Sequence, residues 1–283
     1  MKQQSVNDLM PILGTANIGT KYGITSAASP DVERSSHILN RAFVRGLTAI
    51  DTAEGYINSH TLIKGVIEQI KTIDTKIFVV NRTSLEMGLE LERQLRMFGE
   101  RRVRRVLAHD WHQASVEERK RFVDITREYS SIEFGASLYS LSEFFEIVNR
   151  FNELKSFQVP MNILDQRFLT ITLDSKYSSD YNFVIRSIFL QGALDWRNPT
   201  NPFRNHSSIA RISAFAAEKR LDLTTLILAF LKHSQVQEFV FGVTSEDQID
   251  KLFNSLMNVP VELDFSSFAS MDLGLIDPRQ WSK

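Results

Sequence analysis

Short apolar segments alternate with longer amphipathic segments along most of the chain. The short segments predict eight β-strands, at 9–13, 47–50, 77–80, 105–108, 132–136, 157–161, 182–186 and 238–242. The longer segments have apolar positions at helical spacing and predict helices near 32–45, 59–71, 86–98, 115–128, 140–151, 206–219, 223–234 and 245–257. The chain is therefore expected to consist of repeated strand–helix units.

This alternation predicts a parallel sheet whose strands are joined by helical crossovers. The 283 residues are close to the roughly 250 residues of a closed (β/α)₈ barrel. A doubly wound open sheet is the alternative, but no Gly-x-Gly-x-x-Gly follows the first strand, which disfavours its dinucleotide-binding form. No Pro/Ser-rich linker divides the chain, so we expect an α/β protein, a single-domain TIM barrel over 1–283. An irregular loop is expected at 192–208.

Composition narrows the functional classes. The chain is 43% hydrophobic and 24% charged, with a net charge of −1, so it has no overall attraction for nucleic acid or anionic membranes. It has no cysteine, which excludes disulfides and thiol nucleophiles. No apolar run approaches the length of a membrane span. We expect a cytoplasmic protein with a small-molecule partner, and with neither a nucleic acid nor a membrane as partner. The sequence does not indicate its oligomeric state.

Polar residues follow three neighbouring predicted strands. Asp51 and Tyr56 come after the second strand, Arg82 after the third and His109 after the fourth. The C-terminal ends of barrel strands meet at one mouth, where active sites form. An acid, a phenol, a cation and an imidazole would therefore share one pocket. Carbonyl reduction needs such a set: a proton donor, a group that makes it acidic, and a group that orients the substrate.

Two further signals receive simpler interpretations. The basic run RRVRR at 101–105 precedes the fourth strand and is expected to lie in solvent, on the face away from the mouth. His109, Asp110 and His112 have no convincing additional ligand, so we expect no metal site.

Several motifs resemble the aldo-keto reductases, and more narrowly a bacterial branch often associated with surface-polysaccharide or nucleotide-sugar metabolism. The matching strings are LGT (13–15), GLTAIDTAEGY (46–56), GASLYS (135–140), FQVPMNILDQRF (157–168), RSIFLQGAL (186–194), FGVTSEDQ (241–248) and DPRQW (277–281). The resemblance implies a (β/α)₈ barrel that transfers hydride between a nicotinamide and a carbonyl carbon. It also implies a small-molecule carbonyl or sugar-like substrate.

The resemblance also implies catalytic roles. Tyr56 would be the general acid, His109 would orient and polarise the carbonyl, and Asp51 would anchor the cation beside Tyr56. The family uses lysine as that cation, and the alignment places Arg82 there, with Asn81 as the alternative. A guanidinium keeps the charge but is a wide planar fork, which Asp51 could engage in a bidentate pair.

The cofactor site follows from the same resemblance. Ser137 and Gln158 would hold the nicotinamide amide. The other expected contacts are Ser187, Leu190, Gly242, Thr244 and Gln248. NADP(H) is the first expectation for the cofactor. NAD(H) is the second, because the acidic residues Glu246 and Asp247 stand near the place where a basic residue normally binds the 2′-phosphate.

Two functions are therefore compared. The first is a nicotinamide-dependent carbonyl reductase or alcohol dehydrogenase. The alternative is a catalytically degraded barrel that acts as a binding or scaffolding protein, with no cofactor required. It is motivated by departures from the family pattern at Arg82, Ile57, His60 and Ser187 and by the acidic pair.

Overall fold

The protein is a closed barrel of eight parallel strands in chain order. The computed structural model describes residues 9–18, 31–260 and 262–281. The strands are β1 (Met10–Gly14), β2 (Ala49–Asp51), β3 (Thr72–Ile77), β4 (Val103–Ala108), β5 (Glu133–Ser137), β6 (Ser156–Pro160), β7 (Asn182–Arg186) and β8 (Glu238–Phe241). Pairing of β1 with β8 closes the barrel. The predicted (β/α)₈ class is confirmed.

Helices follow the strands and surround the barrel. They are α1 (Val32–Val44), α2 (Ile57–Gly65), α3 (Ser84–Phe98), α4 (Val116–Thr126), α5 (Leu141–Arg150), α6 (Leu169–Leu173), α7 (Ser175–Ser178), α8 (Ser207–Lys219), α9 (Leu223–His233), α10 (Glu246–Leu256) and α11 (Leu273–Ile276). The predicted helices are present with shifted ends. The short helices α6, α7 and α11 were not predicted, because so few residues show no helical periodicity. None of the described helices is long and apolar enough to cross a membrane.

Capping boxes set the start of the helices after β3 and β4. The Thr83 side chain accepts from the Glu86 N–H while the Glu86 carboxylate accepts from the Thr83 N–H. Ser115 and Glu118 make the same reciprocal pair at the start of α4. Each box satisfies backbone donors that the first helical turn leaves unpaired. The loops that connect these strands to their helices therefore have well-defined ends.

The third strand lies earlier in the chain than the sequence pattern predicts. The apolar run at 77–80 was expected to be the strand, but β3 spans Thr72–Ile77. The Thr75 hydroxyl bonds to Gln94 of α3, so this side chain faces the helices. Because side chains alternate along a strand, Asp74 and Lys76 point into the barrel. The apolar run is mostly the loop after the strand.

A buried charge network closes the end of the barrel opposite the mouth. Arg105 contacts Asp74 at 2.6 Å and Glu238 at 2.8 Å, and its side chain is only 3% exposed. Arg104 also pairs with both carboxylates. The expectation of a solvated basic run is therefore wrong for Arg105, whereas the side chain of Arg104 remains 29% exposed. The burial of Arg105 is tolerated because its charge has ionic partners.

The loop at 192–208 is irregular, as predicted. Asn201, within this loop, is almost completely buried. Its side-chain amide donates to the carbonyl oxygens of Ala193, at 2.9 Å, and of Asp195, at 3.0 Å. These bonds fix a loop that has no regular backbone pairing of its own.

Candidate active site

A buried ion pair lies at the C-terminal mouth of the barrel. The Lys76 ammonium is 2.5 and 2.7 Å from the two carboxylate oxygens of Asp51. The side chains of Lys76 and Asp51 are 3% and 6% exposed. Asp51 also accepts a hydrogen bond from the Gln158 amide at 2.8 Å. The carboxylate therefore holds a cation and an amide in fixed positions.

The strand register explains why Lys76 reaches Asp51. Asp51 of β2 pairs in register with Asp74 of β3. Lys76 lies two positions further along β3, so its side chain points into the barrel from the same face as Asp74. Lys76 was not predicted as a site residue, because the apolar run that follows it was the predicted strand. The alternation in TIDTKI was the signal that could have found it.

Arg82 does not occupy the place expected for it. It lies beyond β3, in the loop before α3. Its guanidinium pairs with Glu54 at 2.5 Å. Glu54 also accepts from the Phe78 N–H at 2.9 Å. The expected contact between Asp51 and Arg82 is therefore not formed, because Lys76 already holds Asp51. Asn81 lies in the same loop as Arg82.

Tyr56 and His109 meet at the mouth. Tyr56 precedes the first turn of α2 and is half-buried. Its ring centroid is 6.3 Å from that of His109, with the rings nearly perpendicular. The backbone N–H of His109 donates to the Ile77 carbonyl at 2.8 Å, which places His109 beside the end of β3. The structure thus brings the phenol and the imidazole together, as the sequence predicted.

His109 is held in its neutral form. Burial, reinforced by the positive charges of Lys76 and Arg186, lowers the pKa of His109 to about 3. Its Nδ1 is buried and has no hydrogen-bond partner among the described residues. A neutral imidazole has one N–H donor and one acceptor nitrogen. His109 is therefore able to donate a hydrogen bond to a carbonyl oxygen at physiological pH without carrying a charge.

Ser137 and Gln158 are neighbours in the β5–β6 register, and both are almost fully buried. The amide nitrogen of Gln158 donates to Asp51, so its carbonyl oxygen is left as an acceptor. The Ser137 hydroxyl adds a donor. A primary carboxamide needs one acceptor for its N–H and one donor for its oxygen. These two side chains therefore fit the carboxamide of a nicotinamide.

Two of the expected cofactor contacts, Ser187 and Leu190, follow β7. Ser187 has a positive φ of 59°, and its carbonyl accepts from Asn162 at 3.2 Å. The side chain of Leu190 is completely buried in the core. Leu190 therefore has only backbone to offer a cofactor, whereas Ser187 is half-buried at the edge of the mouth.

The residues after β8 lead into α10. Gly242 is exposed, and a Cβ added there would lie 3.3 Å from Oδ1 of Asn17. The Thr244 N–H donates to the Gln248 side-chain oxygen at 2.7 Å. This bond leaves the Gln248 amide N–H₂ as a donor for a ligand.

The first turn of α10 combines opposing charges. Glu246 and Asp247 are exposed there. The backbone N–H groups of a first helical turn attract anions, but these two carboxylates repel them. The nearby cation Arg41 is engaged by Asp250 at 2.6 Å. The start of α10 is therefore poorly suited to binding a phosphate group such as the 2′-phosphate of NADP(H).

The remaining residues that the sequence singled out lie outside the polar centre of the mouth. His60 is buried and bonds to the Ala53 carbonyl at 2.9 Å. The side chain of Ile57 is in solvent, at 73% exposure. Asp110 accepts from the N–H groups of Val79 and Val80, at 2.8 and 3.2 Å. Within residues 9–18, 31–260 and 262–281, no cluster of His, Asp and Glu is arranged to hold a metal ion.

Fold and site together define a (β/α)₈ barrel with a polar centre at the C-terminal ends of its strands. The model of the Aldo/keto reductase family matches residues 12–272. The chain belongs to this family, which confirms the resemblance seen in the sequence.

Solved structures share the architecture. An aldo-keto reductase of Bacillus halodurans in its holo form is 17% identical, with 97% of this chain and 95% of that chain covered and a TM-score of 0.69. A Bombyx mori aldo-keto reductase in complex with NADP is 15% identical, with 92% and 89% covered and a TM-score of 0.65. The glycerol dehydrogenase of Gluconobacter oxydans is 15% identical, with 90% and 93% covered and a TM-score of 0.61. At these identities the likeness concerns the fold. No curated protein matches the chain significantly.

Proposed function

We propose that the chain is a nicotinamide-dependent oxidoreductase that reduces the carbonyl group of a small molecule, or oxidises an alcohol in the reverse direction. The observation that carries this proposal is the buried Asp51–Lys76 pair in the same mouth as Tyr56 and His109. Family membership supports it. So do the NADP complex of the Bombyx mori relative and the glycerol dehydrogenase activity named for the Gluconobacter oxydans relative.

Tyr56 is the proton donor in this proposal. When bound, a reduced nicotinamide supplies hydride to the carbonyl carbon, and Tyr56 gives its phenolic proton to the carbonyl oxygen. An unperturbed tyrosine has a pKa near 10, which makes it a weak acid at neutral pH. A nearby cation stabilises the phenolate, and Lys76 supplies that charge. Such a general acid contributes roughly 10²–10⁴ in rate.

His109 orients the substrate. Its neutral imidazole donates a hydrogen bond to the carbonyl oxygen, which polarises the carbonyl and presents the oxygen to Tyr56. Because burial lowers the pKa of His109 to about 3, it does not compete with Tyr56 as the acid.

In this proposal Asp51 positions one group of the catalytic centre, Lys76, and one group of the cofactor site, Gln158. It holds the Lys76 ammonium and turns the Gln158 amide, so that the Gln158 oxygen faces the nicotinamide carboxamide together with Ser137. Ser187, the Leu190 backbone, Gly242, Thr244 and Gln248 border the remainder of the dinucleotide. Both NADP(H) and NAD(H) fit this scheme. The two carboxylates that begin α10 oppose a 2′-phosphate and favour NAD(H) in direct competition.

The alternative, a degraded barrel used for binding or scaffolding, has less support. It relied on Arg82 in place of lysine, but Lys76 provides the ammonium at Asp51. It also relied on His60, whose imidazole is buried against the Ala53 carbonyl as a structural contact. The acidic start of α10 is the observation that still favours it.

Calorimetric titration with NADPH and NADH tests the proposed function. We expect at least one of them to bind, and the melting temperature to rise through ligand linkage. Absence of binding by both, with no turnover of any aldehyde, contradicts the proposal. Dinucleotide binding without turnover supports the degraded barrel instead.

A further inference from the structure

Two arginines and a histidine converge on Tyr139, which lies just beyond β5. The guanidinium carbons of Arg279 and Arg186 are 3.8 and 4.3 Å from the centroid of the Tyr139 ring. The His112 ring meets it edge-on, with the centroids 4.7 Å apart. Arg186 ends β7 and also donates to the Leu138 carbonyl at 2.9 Å. Its side chain therefore reaches over β6 to the end of β5, across one side of the mouth. We call this group the Tyr139 corner.

The two arginines differ in their ionic partners, and Arg279 is paired with Asp277. Its Nε and Nη2 contact Asp277 at 2.9 and 2.5 Å. Arg186 has no carboxylate within 4.0 Å in the part of the chain that the structure describes. Among the described residues, the side chain of Arg186 makes one other hydrogen bond besides that to Leu138, a long one of 3.4 Å to the Ser187 hydroxyl. Its Nε is buried with no partner among the described residues. Several of its five N–H donors are therefore left for a ligand.

Arg186 ends β7 and His109 directly follows β4, so both lie at the C-terminal mouth of the barrel. The charge of Arg186, added to burial and to Lys76, contributes to the low pKa of His109. Two other charged groups of the mouth, Lys76 and Glu143, are already engaged. Lys76 is held by Asp51, and Glu143 accepts from the Tyr139 N–H at 2.7 Å. Arg186, in contrast, has no counter-charge among the residues that the structure describes.

We propose that Arg186 binds an oxyanion of the substrate, so that the protein prefers carbonyl compounds bearing a carboxylate or a phosphate over neutral ones. This rests on the proposed function and names its substrate class. The observation that carries it is the Arg186 guanidinium, which has no carboxylate partner among the described residues and lies at the same mouth as His109. The planar fork of arginine matches both oxyanions in a bidentate geometry. Stacking on Tyr139 holds the plane of the guanidinium in place before the ligand arrives.

Matched probes test this preference. The first pair is 4-carboxybenzaldehyde and its methyl ester, and the second is 4-formylphenyl phosphate and 4-methoxybenzaldehyde. Dissociation constants come from calorimetry, and KM and kcat from turnover. For at least one pair we expect the charged probe to bind about tenfold more tightly than the neutral one, a difference of about 1.4 kcal/mol. The pair with the larger ratio identifies the oxyanion.

The variant Arg186→Met should bring this ratio close to one by raising the dissociation constant and KM of the charged probe. Arg279→Met is the matched control. This variant removes the other guanidinium that packs on the Tyr139 ring, whose charge Asp277 already neutralises. The ratio of affinities should therefore stay near that of the unaltered protein. Melting temperatures confirm that both variants are folded.

Two results overturn the proposal. One is equal affinity for charged and neutral probes in the unaltered protein. The other is an unchanged ratio in Arg186→Met, including the case where that variant instead weakens NADPH or NADH binding, since Arg186 would then serve the dinucleotide. Because calorimetry needs no turnover, a protein that fails as a reductase but binds the charged probe through Arg186 still supports this inference.

Discussion

The Lys76 ammonium contacts both carboxylate oxygens of Asp51, at 2.5 and 2.7 Å, and both side chains are almost completely buried. Removing one member leaves the other as an uncompensated buried charge. We therefore expect Asp51→Asn to lower the free energy of unfolding by about 3–5 kcal/mol, measured by urea denaturation.

The control is Glu54→Gln, which breaks the less buried pair with Arg82. Its cost should be about 1 kcal/mol. Similar losses of unfolding free energy in the two variants would contradict the expected large cost of leaving the buried Lys76 charge without its partner.

We expect the buried charge network opposite the mouth to contribute to stability and not to activity. Arg105→Met leaves Asp74 and Glu238 without a main cationic partner. The free energy of unfolding should fall by about 3–5 kcal/mol, while kcat/KM stays unchanged at temperatures where the variant is folded. Arg96→Met, which breaks a solvent-exposed pair with Glu92, should cost less than about 1 kcal/mol. A large loss of kcat/KM in folded Arg105→Met would contradict the separation of the two ends.

His109 makes stability depend on acid pH. Because the folded pKa of His109 is about 3, and an unfolded histidine titrates near 6.5, the unfolded chain binds more protons between these values. Stability therefore rises with pH in this window, and falls as pH drops below 6.5. At pH 4.5 the loss from this group is about 3 kcal/mol, from roughly two pH units at 1.36 kcal/mol each.

The variant His109→Asn should lose correspondingly less stability than the unaltered protein between pH 7 and 4.5, by urea denaturation at each pH. His37→Asn, at an exposed position on α1, is the control and should follow the unaltered protein. If the free energy of unfolding depends on pH in the same way in the unaltered protein and in His109→Asn, His109 is not the source of the acid sensitivity.

We expect the acidic start of α10 to influence the choice between NADPH and NADH. In Glu246→Gln/Asp247→Asn, two exposed negative charges next to the expected 2′-phosphate site are removed. NADPH affinity should rise roughly tenfold, about 1.4 kcal/mol, while NADH affinity changes little, both by calorimetry. Glu117→Gln, an exposed carboxylate on α4, should alter neither. An equal gain for both dinucleotides would mean that the carboxylates act on another part of the cofactor.

The strand-end residues of the mouth were predictable, and the partner of Asp51 was not. Asp51 and His109 follow apolar strands, so their place in a parallel barrel can be inferred from order alone. Lys76 and Asp74 lie inside a strand that the apolar pattern does not mark. Buried charges there depend on partners from neighbouring strands, and such pairing is decided by register across the barrel. Arg105 was misjudged for the same reason, because its partners are distant in the chain.

The assignment of Lys76, and not Arg82, as the cation that activates Tyr56 is tested most directly by comparing kcat/KM of Lys76→Met and Arg82→Met on one aldehyde. Melting temperatures establish that each assayed variant is folded. We predict a loss of roughly 10²–10⁴ for Lys76→Met with dinucleotide affinity retained, and a change of no more than a few-fold for Arg82→Met. A large loss in Arg82→Met with near-normal turnover in Lys76→Met would contradict the account.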